Sequence, residues 1–360
     1  MPQNADELDV DLNIPPEDLL RALPLSETEP DNEALPVPPS PTDGDGQPGA
    51  DGMSATATFT IKPSDEPQAK GIKFFATDSR TGQEFYVGRI AVFSSRLGLS
   101  RRSEASIFDR HKAAERFGEW AHFIWPTAMA ESAGQEIVIN AWDRAHFTWG
   151  FYQLAAHTPD DNLILLMREL VKLGSATTFF PDLALGEDGR LTRKTSSGHV
   201  SLETTKTVAV GSGTEEQLVD FMAYLNPSSR RFDQEEAVAS ARFIAWASED
   251  PEMLATTTRV SIAIMKRKIK GWANTLGLMG KRPELAIWVS DIVHHGRGTK
   301  ALMRDALAKP TFAAQIEALG RIDKTGDFVE RRKTVDAAVD QLVKESRFTN
   351  MLFGSGSLAL

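Results

Sequence analysis

Between Pro126 and Leu173 the chain reads PTAMAESAGQEIVINAWDRAHFTWGFYQLAAHTPDDNLILLMRELVKL. A small-residue helical turn opens at Pro126, which suits a first helical position. The apolar run ending at Trp142 reads as a strand, aromatic residues surround a turn at Gly150, and Thr158–Pro159–Asp160–Asp161 supplies an N-cap, a proline and two acids at the positive end of a new helix. A helix end, a strand, a glycine turn and a helix start must all meet within this short length. The rest of the body is therefore expected to supply the elements that hold it.

Charge divides the chain. Of its 50 acidic and 40 basic residues, thirteen acids and a single base, Arg21, fall in 1–55, leaving 37 acidic and 39 basic residues for 56–360. The net charge of −10 thus belongs to the first 55 residues, and the body is close to neutral. A surface built to bind nucleic acid through phosphates is normally markedly basic, so nucleic acid is not an expected partner. Residues 1–55 are rich in Pro, Asp, Glu, Gly and Ser and are expected to be disordered, because they offer too little apolar surface to offset the entropy of folding. Pro15–Leu25 could form a short amphipathic turn there. The chain has no cysteine, which excludes disulfides, thiolate chemistry and Cys-based zinc sites. No apolar run approaches the roughly 18–20 residues of a membrane span, and the acidic start MPQNADELDVDL is unlike a secretory signal.

Beyond the tail, ATFTI, IKFFATD and QEFYVGRIAVF read as short strands, the last two joined by a hairpin between Asp78 and Gln83, giving a small β-rich arm over 56–100. Ser103–Trp125 reads as a helix opening at Ser103 and weakened at Gly118, with Pro126 breaking or restarting it. A second hairpin is expected at GEDG within Asp182–Thr195, followed by the alternating HVSLETTKTVAV. From Ser212 onwards the pattern is helical: EEQLVDFMAYL, DQEEAVASARFIAWAS, the long MLATTTRVSIAIMKRKIKGWANTL, then Glu284–Val293, Lys300–Leu307, Phe312–Leu319 and Asp327–Val343. The expected architecture is α+β and predominantly helical, with residues 101–350 as one catalytic domain.

Glu131 is the first candidate for chemistry. It sits near a helix end behind Ala128, Met129 and Ala130, and an apolar setting favours the neutral carboxyl that a general acid needs. Asp143 follows the apolar run and is a candidate second carboxylate, or simply a turn cap. If the two flank a sugar at roughly 6.5–9.5 Å, an inverting mechanism with Asp143 as base follows. Glu136 is a rival second carboxylate. Trp142, Phe147, Trp149, Phe151 and Tyr152 offer flat faces for sugar rings or, as aromatics commonly do, fill the core; Trp149 and Tyr152 are the stronger groove candidates because each carries a polar group that wants a partner.

Two family patterns share these residues. Glu131–Ser132 followed by Gly150–Phe151–Tyr152–Gln153–Leu154 and the capped helix start resembles the lysozyme-like superfamily, in particular the lytic transglycosylases. Asp143–Arg144–Ala145–His146–Phe147–Thr148–Trp149–Gly150 resembles the chitosanase branch. The resemblance implies a lysozyme-like fold with small β-hairpins and Glu131 as catalytic acid. It implies Gln153 and its neighbours in the sugar groove and, in the chitosanase pattern, Asp143 activating a water that Thr148 helps to hold. The activity it implies is cleavage of cell-wall glycan, by a muramidase or lytic transglycosylase, or of a soluble polysaccharide by a chitosanase-like hydrolase. A non-catalytic glycan-binding or structural module is the alternative from another class. No cofactor and no metal are implied.

His294–His295–Gly296–Arg297–Gly298 reads as a helix C-terminal cap that, with Asp291, could line the far wall of a groove. Lys266–Arg267–Lys268–Lys270 reads as a solvated basic face. No Walker loop, Rossmann fingerprint or His-x-x-x-His pair occurs. An enzyme made in the cytoplasm without a secretory signal would reach the periplasm or exterior through a phage lysis system, a virion or a secretion apparatus. A delivery component or an inhibitor protein would then be a further partner, and the acidic tail a docking segment.

Overall fold

A computed structural model describes residues 56–64, 71–93, 96–103, 105–210, 213–323, 326 and 328–360. The acidic tail and its Pro15–Leu25 turn lie outside these residues. Four strands open the described chain: β1 (Phe59–Pro63), β2 (Lys73–Asp78), β3 (Glu84–Phe93) and β4 (Arg96–Arg101). In β2 the alternation of KFFATD turns Phe74, Ala76 and Asp78 inward. The backbone N–H of Asp78 donates to the Gln83 carbonyl at 3.0 Å, closing the hairpin read at that point.

These strands are not a separate arm in their hydrogen bonding. Strand β4 pairs with β5 (Ile139–Asn140) through Ser100↔Asn140 and Arg101↔Ile139, and β5 continues to β6 (Thr148–Trp149) and β7 (Leu154–Ala155). The result is one seven-stranded antiparallel sheet in the order β1 to β7. A three-stranded sheet, β8 (Leu183–Leu185), β9 (Leu191–Thr195) and β10 (Gly198–Ser201), forms around the GEDG hairpin; β11 (Lys206–Val210) and β12 (Gly213–Gln217) pair alone.

The expectation of a predominantly helical, lysozyme-like fold carrying only small hairpins is therefore corrected. The described structure is mixed α+β, 44% helix and 19% strand, with a seven-stranded sheet at one side. The joint between β4 and β5 is a long-range pairing, and local patterning registers each strand without its partner.

Eleven α-helices occur among the described residues. Helix α1 (Arg110–Phe117) starts later than Ser103 because Asp109 provides the cap, its carboxylate accepting from the N–H groups of His111 and Lys112 at 2.8 and 3.2 Å. Gly118 separates it from α2 (Glu119–Ser132), which runs through Pro126 without stopping. Then come α3 (Leu163–Leu170), α4 (Ala176–Phe179), α5 (Val219–Leu225), α6 (Gln234–Glu249) and α7 (Pro251–Ala273). The last four are α8 (Pro283–His295), α9 (Lys300–Leu307), α10 (Phe312–Gly320) and α11 (Val329–Lys344). Helix α2 is packed between α1, α8 and α11, so its C-terminal turn is enclosed by elements distant in sequence. No helix among the described residues is long and apolar enough to cross a membrane.

Close approach fixes one glycine in the sheet. A Cβ on Gly98 of β4 would lie 2.4 Å from the Ala141 carbonyl oxygen, so backbone rather than a movable side chain stands in its way. Gly98→Ala is expected to lose about 1–3 kcal/mol of stability through this overpacking. Gly174→Ala, where a Cβ meets nothing within 4 Å, serves as the control in urea denaturation.

Candidate functional site

The last turn of α2 presents Glu131 and Ser132. The helix ends there because Ala133 takes a left-handed conformation (φ 55°) and its N–H and that of Gly134 bond back to the final carbonyls. The Ser132 hydroxyl is buried among three carbonyl oxygens, those of Phe151, Gln135 and Ala128 at 3.1, 3.2 and 3.3 Å, which places the helix end beside the turn between β6 and β7. Gly150 (φ 78°) and Gln153 (φ 50°) both adopt left-handed conformations to make that turn.

Gln153 is tied inward. Its Nε2 donates to the Gly150 carbonyl at 2.9 Å and its Oε1 accepts from Asn140 Nδ2 at 2.5 Å. The Thr148 hydroxyl lies 3.1 Å from the Asn140 carbonyl and 3.4 Å from Gln153 Oε1. Phe147, Trp149, Phe151 and Tyr152 face the interior, whereas Trp142 is half-buried. Trp149 packs on Phe243 at 4.8 Å, Phe147 on the same ring, and Phe151 stacks on Phe108 at 4.6 Å. Tyr152 is fully buried, its ring 4.6 Å from that of His294. Neither Trp149 nor Tyr152 presents a ring face to solvent.

Glu131 lies at the edge of a charged cluster. Its Oε1 is 2.8 Å from Arg331 Nη1, on α11, and 3.2 Å from His294 Nε2, at the end of α8. The second nitrogen of Arg331, Nη2, reaches Asp291 Oδ1 at 2.7 Å, and Asp291 Oδ2 meets Arg297 Nη1 at 2.5 Å. Acid and base thus alternate along Glu131, Arg331, Asp291 and Arg297. Gly296 caps α8 in the left-handed conformation, as the His-His-Gly run suggests, and the same chain reversal delivers Arg297 to the cluster. Arg331 carried no sequence signal, since it stands in an ordinary charged helix about two hundred residues after Glu131.

Burial alone would raise the Glu131 carboxyl, but the His294 hydrogen bond and the Arg331 charge outweigh it and bring it down to about 2. The unliganded site therefore holds an ionised Glu131, whereas the sequence pointed to a neutral one. Its side chain remains 17% exposed, so a solute can still reach it.

Asp143 belongs to a different network. It sits in the loop between β5 and β6, where its Oδ1 accepts the Ala145 N–H at 2.8 Å, an Asx turn. Burial pushes its carboxyl up, against that hydrogen bond and the charges of Arg96, His146 and Arg144. Glu136 is separate again, its carboxylate accepting from the Ser106 hydroxyl at 2.6 Å. Among the described residues no group of three or more His, Asp or Glu is placed to hold a metal ion. Comparison with known protein families, with characterised proteins and with solved structures finds no match.

Ionisation of Glu131 has a measurable consequence. With a folded-state value near 2 and an unfolded value near 4.5, the carboxylate contributes stability that is fully present above pH 4.5 and is lost as pH falls toward 2. The stability difference between wild type and Glu131→Gln, from urea denaturation at several pH values, is expected to shrink between pH 4.5 and 2. A difference independent of pH across that window sinks the assignment.

Proposed function

We propose that the chain is a glycan-cleaving enzyme acting on cell-wall peptidoglycan, a muramidase or lytic transglycosylase, in which Glu131 delivers the proton to the glycosidic oxygen. The observation that carries this reading is the 3.1 Å approach of the buried Ser132 hydroxyl to the Phe151 carbonyl: it sets the Glu131–Ser132 helix end beside the Gly150–Gln153 turn, the two runs on which the resemblance rests. Arg331 and His294 hold the carboxylate ionised in the unliganded molecule. Acid catalysis therefore requires a bound glycan to take the place of the Arg331 contact, with His294 Nε2 still 3.2 Å from the carboxylate. With no second carboxylate among the described residues of the Glu131 cluster other than the fully buried Asp291, assistance from the substrate's own acetamido group suits the arrangement.

A chitosanase-like hydrolase is the second reading. It is favoured by the place of Asp143 in the loop that leads into Thr148, the residue with which the chitosanase pattern pairs it. Mass analysis of products from purified peptidoglycan and from chitosan, digested side by side, distinguishes these. Anhydro ends from peptidoglycan indicate transglycosylation, reducing ends indicate hydrolysis, and release from chitosan alone indicates the second reading. No product from either substrate sinks both.

A further inference from the structure

A cavity of about 520 Å³ opens between the β2–β3 hairpin, the loop before α1, the segment leading into β5 and the junction of α6 with α7. That volume falls in the range of about 300–1,000 Å³ common to small-molecule sites. None of Glu131, Asp143, Thr148 or Gln153 lines it. Glu136 does, with one carboxylate oxygen engaged by the Ser106 hydroxyl and the other, Oε1, without a hydrogen-bond partner among the described residues.

The charges of the cavity come close to balance, with Lys112 on its wall supplying a positive charge near Glu136. Its other two carboxylates, Asp78 and Glu249, are both held by Arg80, at 2.5 and 2.6 Å, and burial favours the neutral form of Glu136. The remaining polar groups of the wall include the uncharged side chains of Thr81, Gln83 and Ser248, set beside an apolar wall that includes the half-buried ring of Phe85. An uncharged, ring-shaped molecule with apolar faces and hydrogen-bonding edges has the complementary chemistry: its C–H face packs on the apolar wall while its hydroxyl or amide groups donate to Glu136 and exchange hydrogen bonds with the neighbouring side chains.

We propose that this cleft is a second binding site, separate from Glu131, that takes a neutral saccharide with the open oxygen of Glu136 as its principal acceptor. The site goes beyond the glycan-cleaving reading and does not require it, since binding here involves no turnover.

The probe is N-acetylglucosamine, which has no glycosidic bond to cleave, with binding followed by saturation-transfer NMR and titration calorimetry on the full chain. Ser248 is exposed and its hydroxyl bonds only to the Ile244 carbonyl of its own helix, so Ser248→Trp fills the cleft mouth without disturbing the core. Glu136→Ala removes the acceptor. Wild type and Glu131→Gln are expected to bind alike, and both cleft variants at least about tenfold more weakly. Absence of binding to wild type, or undiminished binding to folded Ser248→Trp or Glu136→Ala, overturns the proposal. Binding lost only in Glu131→Gln places the sugar elsewhere and overturns it equally. Thermal unfolding of each variant separates lost binding from lost fold, and if Glu136→Ala fails to fold, Ser248→Trp alone decides. Failure here leaves the digestion assays for Glu131 unaffected.

Discussion

Glu131→Gln is expected to lower the rate of peptidoglycan cleavage by about two to four orders of magnitude, the usual contribution of a positioned proton donor. The amide keeps the size of the side chain and can still accept a hydrogen bond from Arg331, but it cannot pass a proton to a leaving oxygen. Arg331 would remain anchored by Asp291, 2.7 Å away, so the helices that meet at the site should keep their places. The loss should therefore appear in turbidity clearing and product mass analysis, while the circular dichroism spectrum is retained. If folded wild type and Glu131→Gln clear cell walls equally well, Glu131 is no catalyst. The Glu131, Arg331, Asp291 and Arg297 chain is then a brace between α2, α8 and α11, and the non-catalytic module becomes the reading to pursue.

Local rules in the sequence anticipated elements more reliably than their assembly. The β2–β3 hairpin and the turn at Gly186–Gly189 follow from residues adjacent to one another, through turn chemistry. Pro126 misleads because a proline inside a helix is disfavoured in isolation, whereas here most of α2 is buried and packing against neighbouring helices holds it continuous. The seven-stranded sheet escapes a local reading for a different reason. Strand β5 lies in the apolar run read as a strand, but its partner β4 is distant in sequence, and the two-residue β6 and β7 become strands only by adding in turn to the edge that β5 presents.

At the site, the link between Glu131–Ser132 and the Gly150 turn was legible as an order of motifs, and a single buried hydroxyl makes it physical. The electrostatics were not legible. Small neighbours around Glu131 suggest desolvation and a neutral acid, but the sign is decided by His294 and Arg331, which arrive from α8 and α11. A carboxylate's own surroundings in sequence give the burial contribution and omit the charges that oppose it. The same holds for the aromatics. Their polar handles favoured a groove for Trp149 and Tyr152, yet α6 and the end of α8 cover them with Phe243 and His294.

Asp291→Ala is expected to be among the most destabilising single substitutions in the cluster, by about 3–5 kcal/mol. Asp291 and Arg297 are both fully buried, and Arg297 Nε and Nη2 already lack hydrogen-bond partners among the described residues. Removing the carboxylate leaves the guanidinium with the Asp291 main-chain carbonyl, 3.1 Å away, as its remaining acceptor. An uncompensated buried charge is far costlier than a lost pair, so replacing both members with apolar groups should recover much of the deficit. Asp291→Ala/Arg297→Met is thus expected to be more stable than Asp291→Ala alone in urea denaturation, and simple additivity of the two substitutions contradicts the buried-charge account. The pair also bears on function, because Asp291 fixes one nitrogen of Arg331 while the other holds Glu131. If Glu131 is the acid, the double variant should regain activity along with stability, since an Arg331 no longer held by Asp291 leaves the carboxylate more readily when a glycan binds. Stability recovered with activity still lost would show that Arg331 must stay anchored for cleavage and would contradict its displacement by the glycan.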